Sequence, residues 1–317
     1  MRSLNQALSS LCLEDFASQS NTKRTCFIDH LGNSLEKFGF VKIKVPSLKT
    51  KHLKKGYKIA RLFFNLSHER KMNYYRAESM GLTGYLKVPN NQDYNFVDLE
   101  MWMTKSDQPP VAASLKMYPN NGWPQEVLEF QTHTKLLYRL FENCAKVCLK
   151  ACAFYLGLKE NVFTDKVKQG GSILRYLHYL PSLTADKHKD KIILDEHEDV
   201  TLISLFTAGS TPGLEIKIDG FGWLPISHDK DGVILAGADM LKFLSGGVFK
   251  GGAHRVCFRN GAVQDRVTII YSSLPRPEVV LEPLISSFKG KSSQIFIPSM
   301  STADYMYKVP HPRKVSS

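Results

Sequence analysis

The 317-residue chain contains no hydrophobic run long enough to cross a membrane. A transmembrane helix needs about 18 or more consecutive apolar residues, and no stretch approaches that length without charges. The first residues, Met1-Arg2-Ser3-Leu4, are not followed by a long apolar segment, so we expect neither a signal peptide nor a membrane anchor. Repeats and low-complexity segments are also absent. With 43% hydrophobic and 23% charged residues, the composition is typical of a soluble globular protein.

Cysteine is scarce, and its spacing suits neither disulfide bonds nor a zinc site. Cys144, Cys148 and Cys152 are four residues apart, so on a predicted helix they share one face and cannot bridge one another without distortion. We expect them to be buried as small hydrophobic residues. The other three are isolated in the sequence: Cys12, Cys26 and Cys257. This usage favours a reducing compartment, the cytoplasm.

Positive charge is in excess, with a formal net charge of +12. Lysines concentrate in residues 42–55 and again in residues 187–191. In the first run they lie opposite an apolar stripe, which favours the solvated face of a helix: Leu53, Tyr57, Ala60 and Phe64. A basic surface also attracts anionic substrates or acidic partners, and the sequence does not separate these cases. A non-catalytic nucleic-acid-binding protein is therefore a second, less favoured hypothesis.

Apolar periodicity predicts helices in the first half of the chain and strands in the second. A helix and then a strand are predicted in residues 27–45, and one long helix from Pro124, a residue suited to the first helical position, to Gly157. Closely spaced strands with turn signals run from Ser172 to about Ser273, which indicates a sandwich or a double-sheet jelly roll. Residues 302–308 are predicted to form a terminal helix.

A polar segment runs directly into an apolar one in residues 195–206. If the whole stretch is a strand, His197 and Asp199 project from one side and Glu198 from the other. His254 begins another strand-like run further along the chain. Two histidines and one carboxylate form a ligand set that suits non-haem Fe(II) and leaves positions open for substrate and oxygen.

A second His-x-Asp sequence spans residues 188–190. It lies in the lysine-rich stretch and has no apolar strand beside it to hold it in place. Because a catalytic metal site requires rigid support, His197 and Asp199 are the favoured pair.

Arg266 and Thr268 lie two residues apart on the last predicted core strand, and therefore on one face of it. A guanidinium group offers a planar fork to a carboxylate, and the neighbouring hydroxyl adds a hydrogen bond. The alternative interpretation of Arg266 is an ordinary strand-end arginine with its head in solvent.

The order of these motifs resembles that of the 2-oxoglutarate- and Fe(II)-dependent dioxygenases of the isopenicillin N synthase type. The similarity covers most of the chain and includes Phe38-Gly39-Phe40-Val41, Gly84-Tyr85, Gly213-Leu214-Glu215-Ile216, Trp223, Gly237-Ala238-Asp239-Met240-Leu241, His254-Arg255-Val256 and Arg266-Val267-Thr268. It implies a mixed α/β fold with a mainly β core, a double-stranded β-helix flanked by helices. One oxygenase domain is expected over 1–317: a mostly helical region (1–170), a jelly-roll catalytic core (171–275) and a C-terminal extension (276–317).

The resemblance also implies site roles. His197, Asp199 and His254 would bind Fe(II), and Arg266 with Thr268 would hold a carboxylate of 2-oxoglutarate. Aligning the family's Asn-Tyr-Tyr-Pro-like segment puts Tyr179 at the tyrosine that helps to bind this co-substrate, with Ile173, Arg175 and Leu177 facing inward beside it; for Tyr179, core packing is the alternative.

The implied reaction uses Fe(II), 2-oxoglutarate and O2. Oxidative decarboxylation of 2-oxoglutarate would be coupled to hydroxylation, desaturation or cyclisation of a small-molecule substrate, in a pocket lined from residues 81–123 and by Phe206. An enzyme of the same fold that oxidises its substrate without 2-oxoglutarate, as isopenicillin N synthase does, is the alternative.

Overall fold

Helices form where apolar residues recur every three or four positions. The structure, a computed structural model, describes residues 8–76, 83–88, 99–106, 121–180, 190–226, 232–259, 265–289, 291–292, 299–308 and 313–314. Within these ranges the helices are α1 (Asn21–Phe38), α2 (Thr50–Phe64), α3 (His68–Met72), α4 (Phe130–Tyr155), α5 (Val162–Val167), α6 (Asp239–Leu244) and α7 (Thr302–Lys308), with a short 3-10 helix at Leu13–Ala17. None of these helices is long and apolar enough to cross a membrane.

The long helix α4 begins later than predicted, so the prediction of Pro124 as its first residue was wrong. Glu129 has a φ of 62°, a left-handed conformation that cannot continue into an α-helix, and the helix begins after it at Phe130. Inside the helix the prediction is confirmed, because Cys144, Cys148 and Cys152 are free and buried. The predicted terminal helix is confirmed as α7.

Two antiparallel-rich sheets contain most of the strands. The strands of the described residues are β1 (Ser10–Cys12), β2 (Phe40–Lys44), β3 (Gly84–Val88), β4 (Leu99–Lys105), β5 (Ile173–Tyr179), β6 (Lys191–Glu198), β7 (Ile203–Phe206), β8 (Leu214–Ile218), β9 (Gly222–Pro225), β10 (Gly232–Gly237), β11 (His254–Phe258), β12 (Arg266–Ser273), β13 (Ser287–Phe288), β14 (Lys291–Ser292) and β15 (Arg313–Lys314). The larger sheet has the order β1-β2-β10-β7-β12-β5-β4-β3, and the smaller one has the order β15-β6-β11-β8-β9.

The larger sheet buries both of its faces. On β12, Val267, Ile269 and Tyr271 belong to the core that the sheet forms with the helices. Ile270 belongs instead to a second core shared with the smaller sheet. Since alternate side chains of a strand point to opposite faces, the helices cover one side of the sheet and the smaller sheet covers the other. The predicted jelly roll flanked by helices is confirmed.

Residues before 171 contribute strands as well as helices to this architecture. β2 pairs with β10, and β4 pairs with β5, so the N-terminal region extends the larger sheet on both sides. The lysine-bearing helix α2 buries the stripe around Leu53 and Ala60 against the core, as predicted from its periodicity. Strands from the N-terminal region therefore flank β5 and β12 on both sides in the larger sheet, and helix α2 packs against one face of it.

A buried polar cluster links α3 to β4 and β5. The Glu100 carboxylate forms an ion pair with Lys71, accepts a hydrogen bond of 2.7 Å from the Tyr85 hydroxyl and lies 3.4 Å from His178 Nδ1. Burial on its own would raise the pKa of Glu100, but the hydrogen bonds from His178, Lys71 and Tyr85 outweigh it and lower the pKa to about 2.

We expect Glu100→Gln to destabilise the fold in a pH-dependent way. A carboxyl whose pKa falls from 4.5 to about 2 on folding contributes on the order of 3 kcal/mol above pH 4.5, and this contribution is lost as the pH falls toward 2. Urea unfolding should show the gap between wild type and variant at pH 7 narrowing by roughly 1 kcal/mol by pH 3.5. Glu160→Gln, which breaks a more exposed ion pair with Lys150, is the control. A gap independent of pH would contradict the assignment.

Candidate active site

A cavity of about 310 Å³ lies between the two sheets. Its wall is mostly apolar and includes Leu86, Val88, Leu99, Met101, Met103, Ile173, Leu177, Leu194, Phe206, Leu214, Val256, Ile270, Leu274 and Met306. Its polar groups include His197, Asp199, His254, Tyr179, Arg175, Arg266, Thr268 and Ser272. All six predicted site residues therefore face one cavity. The predicted contribution of Phe206 is confirmed, and that of residues 81–123 is confirmed for five side chains on β3 and β4.

The two histidines are cross-strand neighbours. β6 and β11 pair so that His197 lies opposite His254, with ring centroids 4.2 Å apart. His197 Nδ1 is 2.8 Å from the Asp195 carbonyl oxygen, and His254 Nδ1 is 3.0 Å from that of Gly252. A carbonyl can only accept, so each ring donates from Nδ1, and the neutral tautomer that this fixes has its lone pair on Nε2.

Asp199 reaches the site through a turn, so the prediction of one continuous strand was wrong. β6 ends at Glu198, and the apolar run forms β7 in the other sheet. Backbone amides around the start of α6 hold the intervening turn: Asp239 N donates to Asp199 O at 3.0 Å, and Met240 N donates to Thr201 O at 3.0 Å. The chain crosses between the sheets here because these amides bind its carbonyl groups.

Histidine and aspartate converge on one point. His197, Asp199 and His254 each offer a ligand atom within 4.8 Å of the others. Burial and the neighbouring His254 lower the pKa of His197 to about 4. For Asp199, burial alone would raise the pKa, but the charges of His254, Arg175 and His197 lower it overall. Neutral imidazole and ionised carboxylate are the states in which these groups bind metals.

The environment of one Asp199 oxygen shows whether a metal ion would fit the site. Oδ2 is buried and has no hydrogen-bond partner among the described residues. A buried carboxylate oxygen without a partner is costly, and a divalent cation between the carboxylate and the two imidazoles would satisfy it. Two histidines and one carboxylate are the donor set of non-haem Fe(II) sites, so the residues present fit that ion.

Arg266 is fully buried, which excludes the interpretation of a strand-end arginine with its head in solvent. Its Nη2 donates to Ala208 O at 3.2 Å and its Nε donates to Thr211 O at 3.3 Å, while Nη1 has no partner in the part of the chain that the structure describes. The guanidinium carbon lies 5.1 Å from the centre of the Tyr179 ring, and Arg266 and Tyr179 are paired across β12 and β5. A buried cation with an unpartnered Nη1 fits a carboxylate of 2-oxoglutarate.

Gly209, which no sequence motif singled out, makes room for this guanidinium. Its φ is +90°, and a Cβ built there would lie 2.7 Å from Arg266 Nη2. Only glycine combines that backbone conformation with so close an approach. The remaining predicted feature, the His-x-Asp sequence at 188–190, lies mostly outside the described residues.

A jelly roll that brings two imidazoles and one carboxylate together in a buried cavity is the architecture of a non-haem iron enzyme. Comparison with known proteins specifies the class. Residues 11–126 match the family model of the non-haem dioxygenase in morphine synthesis N-terminal region, and residues 170–275 match that of the 2OG-Fe(II) oxygenase superfamily.

Relatives of this family align along most of the chain. Clavatol oxidase of Penicillium crustosum is 25% identical over 296 residues, covering 86% of this chain and 87% of the relative. Gibberellin 2-beta-dioxygenase 1 of Pisum sativum is 26% identical over 263 residues, covering 81% and 76%.

Solved structures share the fold. A 2OG-Fe(II) oxygenase family protein from Caulobacter crescentus superposes with a TM-score of 0.81 at 24% identity, covering 95% of this chain and 98% of that one. The dioxygenase for auxin oxidation 1 of Arabidopsis thaliana, in a binary complex with 2-oxoglutarate, superposes with a TM-score of 0.66 at 18% identity, covering 87% of this chain and 96% of that one.

The chain belongs to the 2OG-Fe(II) oxygenase superfamily and is an Fe(II)- and 2-oxoglutarate-dependent dioxygenase. Its cofactor is Fe(II), and its co-substrates are 2-oxoglutarate and O2. An oxidase that does without 2-oxoglutarate is not favoured by these matches.

Proposed function

We propose that His197, Asp199 and His254 are the iron ligands of this dioxygenase and that Arg266, Thr268 and Tyr179 hold its 2-oxoglutarate. The unpartnered Oδ2 of Asp199, buried beside two imidazoles that each keep a free Nε2, is the observation that carries the proposal. The unpartnered Nη1 of Arg266 supports the second half. Both atoms are unpartnered with respect to the described residues.

Each residue has a definite task in this scheme. When bound, Fe(II) with 2-oxoglutarate and O2 supplies the oxidising chemistry, in which 2-oxoglutarate is decarboxylated to succinate while the substrate is hydroxylated, desaturated or cyclised. The carbonyl groups of Asp195 and Gly252 fix the histidine rings by accepting from Nδ1. Arg266 orients the co-substrate by a charge-assisted contact, and the apolar cavity wall excludes water.

The proposal extends to partners, location and domain structure. The mostly apolar cavity favours a small-molecule substrate over nucleic acid. Six free cysteines are consistent with a reducing compartment such as the cytoplasm. Strands from residues before 171 pair directly with strands of the core, which supports a single oxygenase domain over 1–317.

Anaerobic titration with Fe(II) and 2-oxoglutarate tests the proposal. We expect a weak visible charge-transfer band that saturates at one Fe(II) per chain. When O2 and a substrate of the enzyme are then added, we expect succinate to form in proportion to the 2-oxoglutarate consumed. Substrate oxidation without 2-oxoglutarate would instead support the oxidase alternative. Iron binding that survives substitution of all three proposed ligands would reject the assigned centre.

A further inference from the structure

A second guanidinium, that of Arg175, faces the cavity in addition to that of Arg266. Arg175 lies on the inner face of β5, where it is paired with Met103 of β4 and Ile270 of β12. Both neighbours are apolar and line the same cavity. A permanent positive charge is therefore displayed inside a mostly apolar space.

Arg175 is incompletely satisfied by the described part of the protein. Its Nη2 donates a hydrogen bond to Ser272 Oγ, and its Nε is buried without a partner there. Among the residues that the structure describes, Arg175 forms no ion pair within 4.0 Å. A buried guanidinium nitrogen without a hydrogen-bond acceptor is costly, and the described carboxylate whose charge it feels, Asp199, makes no direct ion pair with Arg175, so we expect an anion in the cavity to accept from Nε.

This anion is not the distal carboxylate of 2-oxoglutarate. Arg175 and Tyr179 are four residues apart on the same face of β5, which corresponds to about 13 Å along the strand. Tyr179 is paired with Arg266, so the two guanidinium groups lie toward opposite ends of the cavity face. The histidines line the same cavity from the opposite sheet, and Asp199 lines it from the turn that follows β6.

We propose that Arg175 is the substrate-specificity residue of this dioxygenase and that the substrate is a small, mostly apolar carboxylic acid whose carboxylate binds the Arg175 guanidinium beside the Ser272 hydroxyl. This inference rests on the proposed function, because it takes the other guanidinium to be occupied by 2-oxoglutarate. A planar carboxylate matches the fork of an arginine and leaves no charge in excess, since one cation meets one anion.

The side chains around Arg175 indicate the polarity and size of the rest of the substrate. Ile173, Leu274 and Met306 line the cavity together with Met101 and Met103, so the body of the substrate is apolar. The cavity of about 310 Å³ is at the small end of ligand pockets, which begin at about 300 Å³. A phosphate ester, with up to two negative charges, would leave one charge uncompensated by this single guanidinium.

Matched acids and amides test the inference. Isothermal titration of the anaerobic enzyme, saturated with Fe(II) and 2-oxoglutarate, would use hexanoate, cyclohexanecarboxylate, phenylacetate and 3-phenylpropanoate, each beside its primary amide. We expect at least one acid to bind about tenfold or more tightly than its amide. Arg175→Met should lower the affinity for that acid by about 10- to 100-fold and abolish the preference for the acid over its amide. The 2-oxoglutarate concentration needed for the charge-transfer band should stay unchanged.

Two further variants make the outcome decisive. Arg139→Met removes the same charge from the exposed face of α4 and should leave acid binding as in wild type. Arg175→Lys keeps the charge and should keep a weakened acid preference, which covers the case in which the methionine variant does not fold. The inference is overturned if no acid binds more tightly than its amide, or if the preference survives in Arg175→Met. If wild type forms no charge-transfer band with Fe(II) and 2-oxoglutarate, the proposed function itself is refuted.

Discussion

Asp199→Ala is expected to abolish Fe(II) binding and turnover while the fold survives. Asp199 supplies the only negative charge among the three converging side chains, and its buried Oδ2 has no other partner among the described residues. Removing a ligand itself should cost more than the 10- to 100-fold in metal affinity typical of substitutions behind the ligands, so we expect affinity to fall by at least about 100-fold. Anaerobic titration monitored by the charge-transfer band measures it.

Stability provides a second readout for the same variant. The neighbouring charges that lower the pKa of Asp199 also stabilise its carboxylate in the metal-free protein, so its removal should leave the melting temperature of that protein unchanged or lower it slightly. Fe(II) should stabilise wild type against heat and have no effect on Asp199→Ala. Asp219→Ala, which removes an exposed carboxylate paired with Lys250, is the matched control and should respond to Fe(II) as wild type does. Equal stabilisation of wild type and Asp199→Ala would remove Asp199 from the ligand set.

Arg266→Met should raise the 2-oxoglutarate requirement strongly and leave Fe(II) affinity close to that of wild type. The buried guanidinium has its Nη1 unpartnered within the described ranges, and a charge-assisted contact between an arginine and a carboxylate is among the strongest hydrogen-bonded pairs in proteins. Losing two charge-assisted hydrogen bonds corresponds to roughly a 100-fold higher 2-oxoglutarate concentration at half-saturation. Succinate formation as a function of 2-oxoglutarate measures this, and an unchanged requirement would leave Arg266 a structural residue.

Gly209→Ala provides an independent probe of the same contact. The added methyl group would meet the Arg266 guanidinium at 2.7 Å, so the 2-oxoglutarate requirement should rise although Arg266 is still present. Gly157 has a similar positive φ of +71° with nothing described within 4 Å of a built Cβ. Gly157→Ala therefore carries the backbone strain alone and should leave the requirement unchanged.

Several features followed from local chemistry and were predictable. Alternation along β5 placed Arg175, Leu177 and Tyr179 on one inward face, because successive strand residues point to opposite sides whatever the fold. Cysteines spaced by four on α4 are buried, as helical periodicity requires. The match of His254 to the start of a strand also depended only on the apolar run that follows it.

Other features depend on contacts between distant segments. The turn after Glu198 is held by the backbone amides of Asp239 and Met240, which lie about 40 residues later in the chain, and no local pattern in residues 195–206 predicts these contacts. The late start of α4 at Phe130 depends on the left-handed Glu129, a non-glycine residue for which local propensity favours no such conformation.

By itself, the sequence determined the types of side chain at the site, their order along the chain and the strand faces that carry the groups of β5 and β12, because these depend on side-chain chemistry and on the period of each element. Only the tertiary structure decided how the groups meet. It decided which polar atoms of the described residues remain unpartnered in the cavity, Arg175 Nε among them, and why Gly209 is required beside Arg266. Such properties arise from packing between residues far apart in sequence, and burial turns them into large energetic differences.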